Sequence, residues 1–410
     1  MSEFFTLISP EAAFDKLRSN LNFIIKTQEI ATEDAYYRVL SEDIYSPINL
    51  PSFTKSTMDG YAVRATDTYG ATASLPTYLT LVDEISMGTT PSFHLSQSEA
   101  ALIHTGGMLP KNADAVVMIE NTQKTHSNEI EVCQSVSIGE NILNIGEDVT
   151  KSSQIMPEGT LLRPQEIGAL MALGITSVHV SNKPIVGIIS TGDEVVHPSK
   201  TINPGQVRDI NSYTLSALIT SAGGIPKRYG IIEDDFDSLF STAQKANTEC
   251  DIVLIIAGSS VSHRDITSEI INQLGDPGVL LHGITIKPGK PTIVGIAQNK
   301  PILGLPGNPV SALVVATILL KPTISHLQGS KIANFTPTIA AILSQNIPSV
   351  AGREDHVPVL LTTNDNTVYA RPIFGKSNLI FTLVNSTGKL IVPINSTGLI
   401  KDSQVDVHLY

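Results

Sequence analysis

Hydrophobic spacing changes along the chain, and the changes mark its elements. From Pro10 to Gln28 the apolar positions suit one buried face, which predicts a helix. From about Ser46 to Ile145, short alternating runs such as TYLTLVDEI and ALIHTGG are parted by Gly, Pro and Asn. Alternation broken by turn residues predicts a small β-rich domain. PQEIGALMALG then predicts a helix, with Pro164 in its first turn and Gly174 capping its end.

Between Lys183 and about Leu327, apolar runs of strand length alternate with helical stretches. PIVGIIS and DIVLIIAG predict buried strands, and PILGLPGNPVSALVVATILL predicts a strand running into a helix. NSYTLSALITSAGG, DSLFSTAQKAN and RDITSEIINQL predict further helices. Such alternation implies a mainly parallel sheet, whose ligands sit at the carboxyl ends of its strands. From Phe335 to Tyr410 the alternating β texture returns, as a separate C-terminal domain. No internal repeat or low-complexity tract interrupts the chain.

Composition narrows the functional classes. At 410 residues the chain is too long for one compact core. An apolar content of 41% and a mean hydropathy of +0.12 suffice to bury large cores. No apolar run reads as approaching the roughly 18 residues that span a membrane. The N-terminus, MSEFFTLISPEAAFDKL, lacks the basic start of a signal peptide. Two distant cysteines, Cys133 and Cys250, argue against disulfides or a cysteine zinc site and suit a reducing cytoplasm. A net charge of −12 with no Lys/Arg block argues against a nucleic-acid surface. To bind an anion, so acidic a chain needs local lysines, backbone N–H groups or a bridging divalent metal.

Four strand ends carry residues suited to binding an anion, namely IISTGDE, AGSSVSHRD, ITIKPGKP and LGLPGNPVSA. Glycine lets backbone N–H groups approach a phosphate, and a helix N-terminus adds a favourable dipole. Any one alone reads as an ordinary turn; four at strand ends of one α/β unit point to a site. A tight Pro288-Gly289 turn would hold Lys287 and Lys290 about 7 Å apart, facing one anion. Asp193, Glu194, Asp234, Asp235 and Asp265 all follow strands in this unit, and acids beside an anion site suggest Mg²⁺. Asp234-Asp235 serves equally well as a helix cap. In the β-rich half, Met58-Asp59-Gly60-Tyr61 reads as a hairpin turn, and Glu147 and Asp148 sit in another turn. Of ten histidines only His263 falls inside a candidate site. Dinucleotide, Walker and nucleophile-elbow motifs are all missing.

Taken together, LPSFTKSTMDGYAVR, HTGGMLPKNADAVVMIE, GENILNIGEDV, IISTGDEVV, GQVRDIN, GIIEDD, GSSVSHRD, IKPGKP and LGLPGNPVSALV resemble the molybdopterin molybdenumtransferases, the MoeA and gephyrin E-domain family. The resemblance spans nearly the whole chain. It implies four domains: a connecting domain at 27–46 plus 146–182, and a β-rich domain at 47–145. A three-layer α/β domain of the molybdopterin-binding type would take 1–26 plus 183–328, and a β-barrel-like domain 333–410. It also implies a cytoplasmic homodimer, with the site between the α/β domain of one subunit and the β-rich domain of the other.

The implied reaction binds adenylylated molybdopterin and molybdate, hydrolyses the pyrophosphate bond with Mg²⁺, releases AMP and transfers molybdenum to the dithiolene. Carried over by motif, Asp59, Thr105 and Asp148 line the site from the β-rich side. Glu194, Asp234 and Asp265 contact substrate or Mg²⁺. Asp59, Asp148, Glu194 and Asp265 take the catalytic roles. Lys287, Lys290 and Ser377 bind phosphate or molybdate, Pro306 and Pro309 shape the pocket, and Ser259 and Ser260 join substrate binding. The molybdopterin adenylyltransferase that supplies substrate is a further implied partner. Departures from the family pattern fall at Ala257, Ser262, Leu143-Asn144 and Lys376-Ser377, and each adds a side chain near substrate. They leave open a non-catalytic pterin carrier or scaffold. A nucleotide-transferring enzyme that makes the adenylylated pterin is a third reading, which the full-length resemblance disfavours.

Overall fold

A computed structural model describes residues 7–126, 128–257, 261–331 and 336–410, with the backbone alone at 261–264. The chain divides into two compact units. One comprises Met1–Ser41, Gly159–Arg163 and Ser177–Tyr410; the other comprises Glu42–Glu158 and Pro164–Thr176.

The first unit is built on a six-stranded sheet. Edge to edge its strands are Ile225–Ile232, Ile185–Thr191, Ile252–Ala257, Lys300–Pro306, Ile293–Ala297 and Pro277–His282. The first four are parallel, Ile293–Ala297 runs against them, and Pro277–His282 pairs antiparallel with it, so the sheet is mainly parallel as the apolar runs predict. Every residue of Ile252–Ala257 is buried, because helices cover both faces. On one face Leu254 and Leu303 pack with Leu17, Leu215, Val315 and Leu319 from helices. On the other, Val253, Ile255 and Ile302 pack with Leu239, Ala243 and Ile270. Each fully buried Leu or Ile contributes about 1.5–3 kcal/mol of apolar burial, so the three layers fix where the strand ends lie.

Three sequence expectations about the first unit are corrected by this arrangement. The first helix covers Pro10–Ser19, not Pro10 to Gln28, and Thr27–Ala31 is a strand paired with Ser177–Ser181. Asn20 ends the helix: its amide side chain donates to the carbonyl of Lys16 at 2.8 Å and competes with the backbone ladder. Ile286–Lys287, the strand end before KPGKP, does not belong to the parallel sheet. It pairs with Glu354–Asn364 of the C-terminal sheet, so three of the four expected strand ends share the α/β sheet. Finally, Pro309–Leu327 is a 19-residue helical run with a mean hydropathy of 1.6, long and apolar enough to span a membrane. It is apolar because Val310, Val315, Leu319, Leu320 and Ile324 pack into the sheet core, and more than half of it is buried.

The C-terminal strands form a small barrel. Glu354–Asn364, Thr367–Pro372, Thr338–Leu343, Gln404–Leu409 and Gly388–Val392 follow in order, and the last pairs back to the first. Leu343, Val359, Ala370, Leu390 and Val407 fill it.

The second unit carries a six-stranded sheet ordered Ala115–Met118, Gly60–Val63, Glu99–Ile103, Thr77–Glu84, Glu129–Val132 and Thr122–His126. Asp59-Gly60 is not the hairpin turn that its sequence suggests. Gly60 begins a strand flanked on both sides, pairing with Ile103 and with Met118. A Cβ at Gly60 would lie 1.9 Å from the carbonyl oxygen of Val117, so close strand approach, not a turn, requires the glycine. The helix Pro164–Ala172 ends as expected: Gly174 has φ 73° and the N–H of Ile175 returns to the carbonyl of Leu170.

Candidate active site

In the α/β unit, two cavities open at the carboxyl end of the sheet. One, of about 650 Å³, is lined by Thr191, Glu194, Arg208, Asp209, Asn211, Gly307 and Pro309. The other, of about 780 Å³, is lined by Lys287, Lys290, Pro306, Arg353, Lys376 and Ser377. Both have the size of small-molecule sites, and Asn308 and Asn378 line both. Asn308 sits at the head of the helix Pro309–Val315, where its side chain makes no capping bond.

The first cavity is lined by the acids Glu194 and Asp209 and by amides that include Asn211, and further acids lie on the loops around it. Buried Thr191 donates its hydroxyl to Asp234, whose own N–H donates to the carboxylate of Asp193 at 3.3 Å. Asp235 acts differently. It caps the helix Phe236–Glu249, accepting from the N–H of Ser238 at 2.9 Å, and that bond lowers its pKa. Of the two neighbours, Asp235 is therefore the helix cap. Glu194 is exposed beside Gly192, and Asp265 is exposed near the start of the helix Val261–Leu274. Asn211 donates to the carbonyl of Gly307 at 2.8 Å, while its buried Oδ1 has no hydrogen-bond partner. Such an atom wants a donor or a cation.

Mg²⁺ suits this donor set. Among the described residues, no three acids, cysteines or histidines converge on a metal by themselves. Mg²⁺ needs only one or two carboxylates, with water and substrate phosphate completing its shell. Glu194, exposed on the cavity wall, offers one such carboxylate.

The second cavity is cationic, and a buried carboxylate organises it. Asp355 is 3% exposed; it accepts from the Arg353 Nε at 2.8 Å and lies 3.6 Å from the Lys287 Nζ. Lys290 and Lys376 are exposed around the same space. Gly289 takes φ 115°, and a Cβ there would lie 2.5 Å from Val315, so the turn between the lysines needs glycine twice over. The carbonyl of Ser377 accepts from the N–H of Val310 at 3.0 Å, tying the FGKSNL loop to the helix start. Arg353, Asp355, Asp209 and Asn211 were not singled out from sequence. The GRED and RDIN runs carry them, yet neither run has a spacing that marks chemistry.

Ala257 ends its strand opposite Pro306. Ser259 and Ser260 lie outside the described residues, as do the side chains of Ser262 and His263.

The second unit gathers the remaining residues. Asp59 accepts from the N–H of Thr105 at 2.7 Å and from its hydroxyl at 3.0 Å. These two bonds lower the Asp59 pKa, with a smaller contribution from nearby His104. Three segments are stitched together here: Ser56 bonds Gly107, Gly106 returns to Ser56, and Thr57 donates to Asn141. Half-buried Leu143 lies in the short strand Ile142–Leu143, paired with Lys55–Ser56. Asp148 is exposed on the loop that follows, which Leu50 and Pro51 anchor through the N–H groups of Gly146 and Asp148. Asp59 and Thr105 therefore meet directly, and no hydrogen bond links Asp148 to either among the described residues.

Comparison with known proteins matches these segments in order. Residues 8–174 match the MoeA N-terminal region (domain I and II). Residues 187–326 match the family described as "Probable molybdopterin binding domain", and residues 340–410 the MoeA C-terminal region (domain IV). The molybdopterin molybdenumtransferase of Haemophilus influenzae is 34% identical over 85% of this chain and 85% of its own. That of Bacillus subtilis is 32% identical over 94% of this chain and 90% of its own. The crystal structure of the molybdopterin biosynthesis MoeA protein from Pyrococcus horikoshii OT3 superposes with a TM-score of 0.82 at 32% identity, covering 99% of this chain and 100% of that one. This chain belongs to the MoeA family of molybdopterin molybdenumtransferases.

Proposed function

We propose that this chain transfers molybdenum from molybdate into adenylylated molybdopterin, with Mg²⁺ and with release of AMP. The observation that carries the reading is the pair of adjoining cavities at one sheet end, one lined by Glu194, Asp209 and Arg208 and the other by Lys287, Lys290, Arg353 and Lys376. Molybdate is a tetrahedral dianion, and Lys287, Lys290, Arg353 and the Ser377 hydroxyl are donors suited to it. Asp234, Glu194 and Asp265 would hold Mg²⁺, and Ser259 and Ser260 would donate to the substrate phosphates. The metal, when bound, neutralises charge on the leaving phosphate. Water cleaves the phosphoanhydride to give AMP and the pterin phosphate, and the two dithiol sulfurs bond to molybdenum as one oxide of molybdate takes their protons and leaves as water. Pro306 and Pro309 are buried and rigid, and hold the walls that orient the substrate. Asp59, Thr105 and Asp148 serve the same reaction from the second unit. A homodimer in the cytoplasm, supplied by a molybdopterin adenylyltransferase, completes the reading, and light scattering tests the dimer.

Purified protein incubated with adenylylated molybdopterin, molybdate and Mg²⁺ should release AMP and form molybdenum cofactor. A folded protein that releases no AMP rules the reaction out. Pterin binding without turnover would mark a carrier, in keeping with the substitutions at Ala257, Ser262 and Leu143.

A further inference from the structure

Beside Asp59 stands a residue to which the proposed reaction assigns no role. His104 follows the strand Glu99–Ile103, between the strands that carry Asp59 and Glu84. Registers bring the three together. Gly60 pairs with Ile103 antiparallel, so Asp59 falls opposite His104. Glu84 pairs with Leu102 in the parallel neighbour, one strand further on. The His104 Nε2 lies 3.1 Å from the Glu84 Oε1, and its Nδ1 lies 4.0 Å from the Asp59 Oδ1. The same Asp59 oxygen is held by both donors of Thr105, the residue next to His104.

We propose that His104 is a positioning residue for Asp59, itself oriented by Glu84, and that the row Glu84–His104–Asp59 supports the carboxylate direction that the two Thr105 donors set. The proposal rests on the reading that Asp59 serves the transfer reaction. A protonated imidazole offers one N–H to Glu84 and turns its other toward Asp59, giving a single positive charge between two acids. A neutral one has a single N–H to offer and leaves the two acids unbalanced. The titratable side chains facing His104 are these two carboxylates, on the strand to either side. All three groups are partly exposed, so the coupling is modest and appears in rate and pH dependence rather than in stability.

The test uses the full chain and measures kcat and KM for the adenylylated pterin from pH 5.5 to 8.5. His104→Gln is expected to lower kcat about three- to fivefold with KM changed less than about twofold, and to alter the acid limb of the kcat profile. Glu84→Gln should move kcat the same way by a smaller factor, with unfolding temperatures unchanged for both variants. A His104→Gln profile that superimposes on the parent, while Asp59→Asn loses activity, overturns the proposal. An Asp59→Asn variant with full activity instead overturns the reading of Asp59 on which the proposal stands.

Discussion

The two units arrange charge in opposite senses. In the second unit an exposed acid, Asp59, is held by neutral donors and a histidine on neighbouring strands. In the α/β unit two cations, exposed Lys287 and half-buried Arg353, are held by a buried acid, Asp355. The first arrangement keeps a carboxylate ionised; the second keeps cations pointed into a cavity. Each depends on one glycine that lets backbone or side chains come close, and the two glycines fail differently.

The largest expected effect breaks the first arrangement. Gly60→Ala drives a Cβ into the backbone of Val117 in a strand buried on both faces, where nothing flexible can yield. A loss above about 3 kcal/mol in urea unfolding is expected. Gly289→Ala meets the side-chain ends of Val315 and Ile286 and strains a positive φ, so about 1–3 kcal/mol is expected. Equal losses at the two sites would erase the distinction.

Next comes Asp355→Asn. Removing the buried charge frees Lys287 and Arg353, but Lys287 is 59% exposed and solvent screens it. A loss of roughly 1–2 kcal/mol is expected after that discount, with most of it from Arg353. A thermal melt measures it.

Acid should weaken the C-terminal barrel more than the second unit. Burial lowers the pKa values of His356 and His408 there, and of His326 under the sheet. Their unfolded value is about 6.5, so below it the unfolded chain binds more protons than the folded one. Stability therefore falls as pH drops from about 6.5 toward the lowered folded values. Asp59 and Asp235, with pKa values lowered by hydrogen bonds, hold stability above the ordinary carboxylate range and lose it only in stronger acid. His356→Gln should flatten the slope between pH 7 and 5; an unchanged slope would assign the loss elsewhere.

The smallest effects separate Asp234 from Asp235. Asp235→Ala should lower the melting temperature as a lost helix cap and leave turnover intact. Asp234→Ala should lower turnover by about tenfold or more with a smaller change in melting temperature. Reversal would exchange their roles.

The α/β sheet was legible in the sequence because a strand covered on both faces reads as an unbroken apolar run, as DIVLIIAG does. The barrel and the β-rich sheet were legible as texture only, since alternation gives a strand its faces but not its partner. That is why Ile286–Lys287 was assigned to the wrong sheet. Asp-Gly misled for a related reason: glycine serves both turns and close strand approach, and only the pairing of Gly60 tells them apart. Of the candidate residues, those on glycine-marked strand ends came into view early. Arg353 and Asp355 did not, because a cation oriented by a buried acid two residues away leaves no periodic trace.

Isothermal titration of molybdate into the folded protein tests the central claim most directly, because it isolates the cationic cavity. The expected result is saturable binding, weakened about tenfold or more in Lys287→Ala and in Lys290→Ala, and left unchanged in Asp59→Asn. Binding that survives loss of both lysines together, or that Asp59→Asn abolishes, would contradict it.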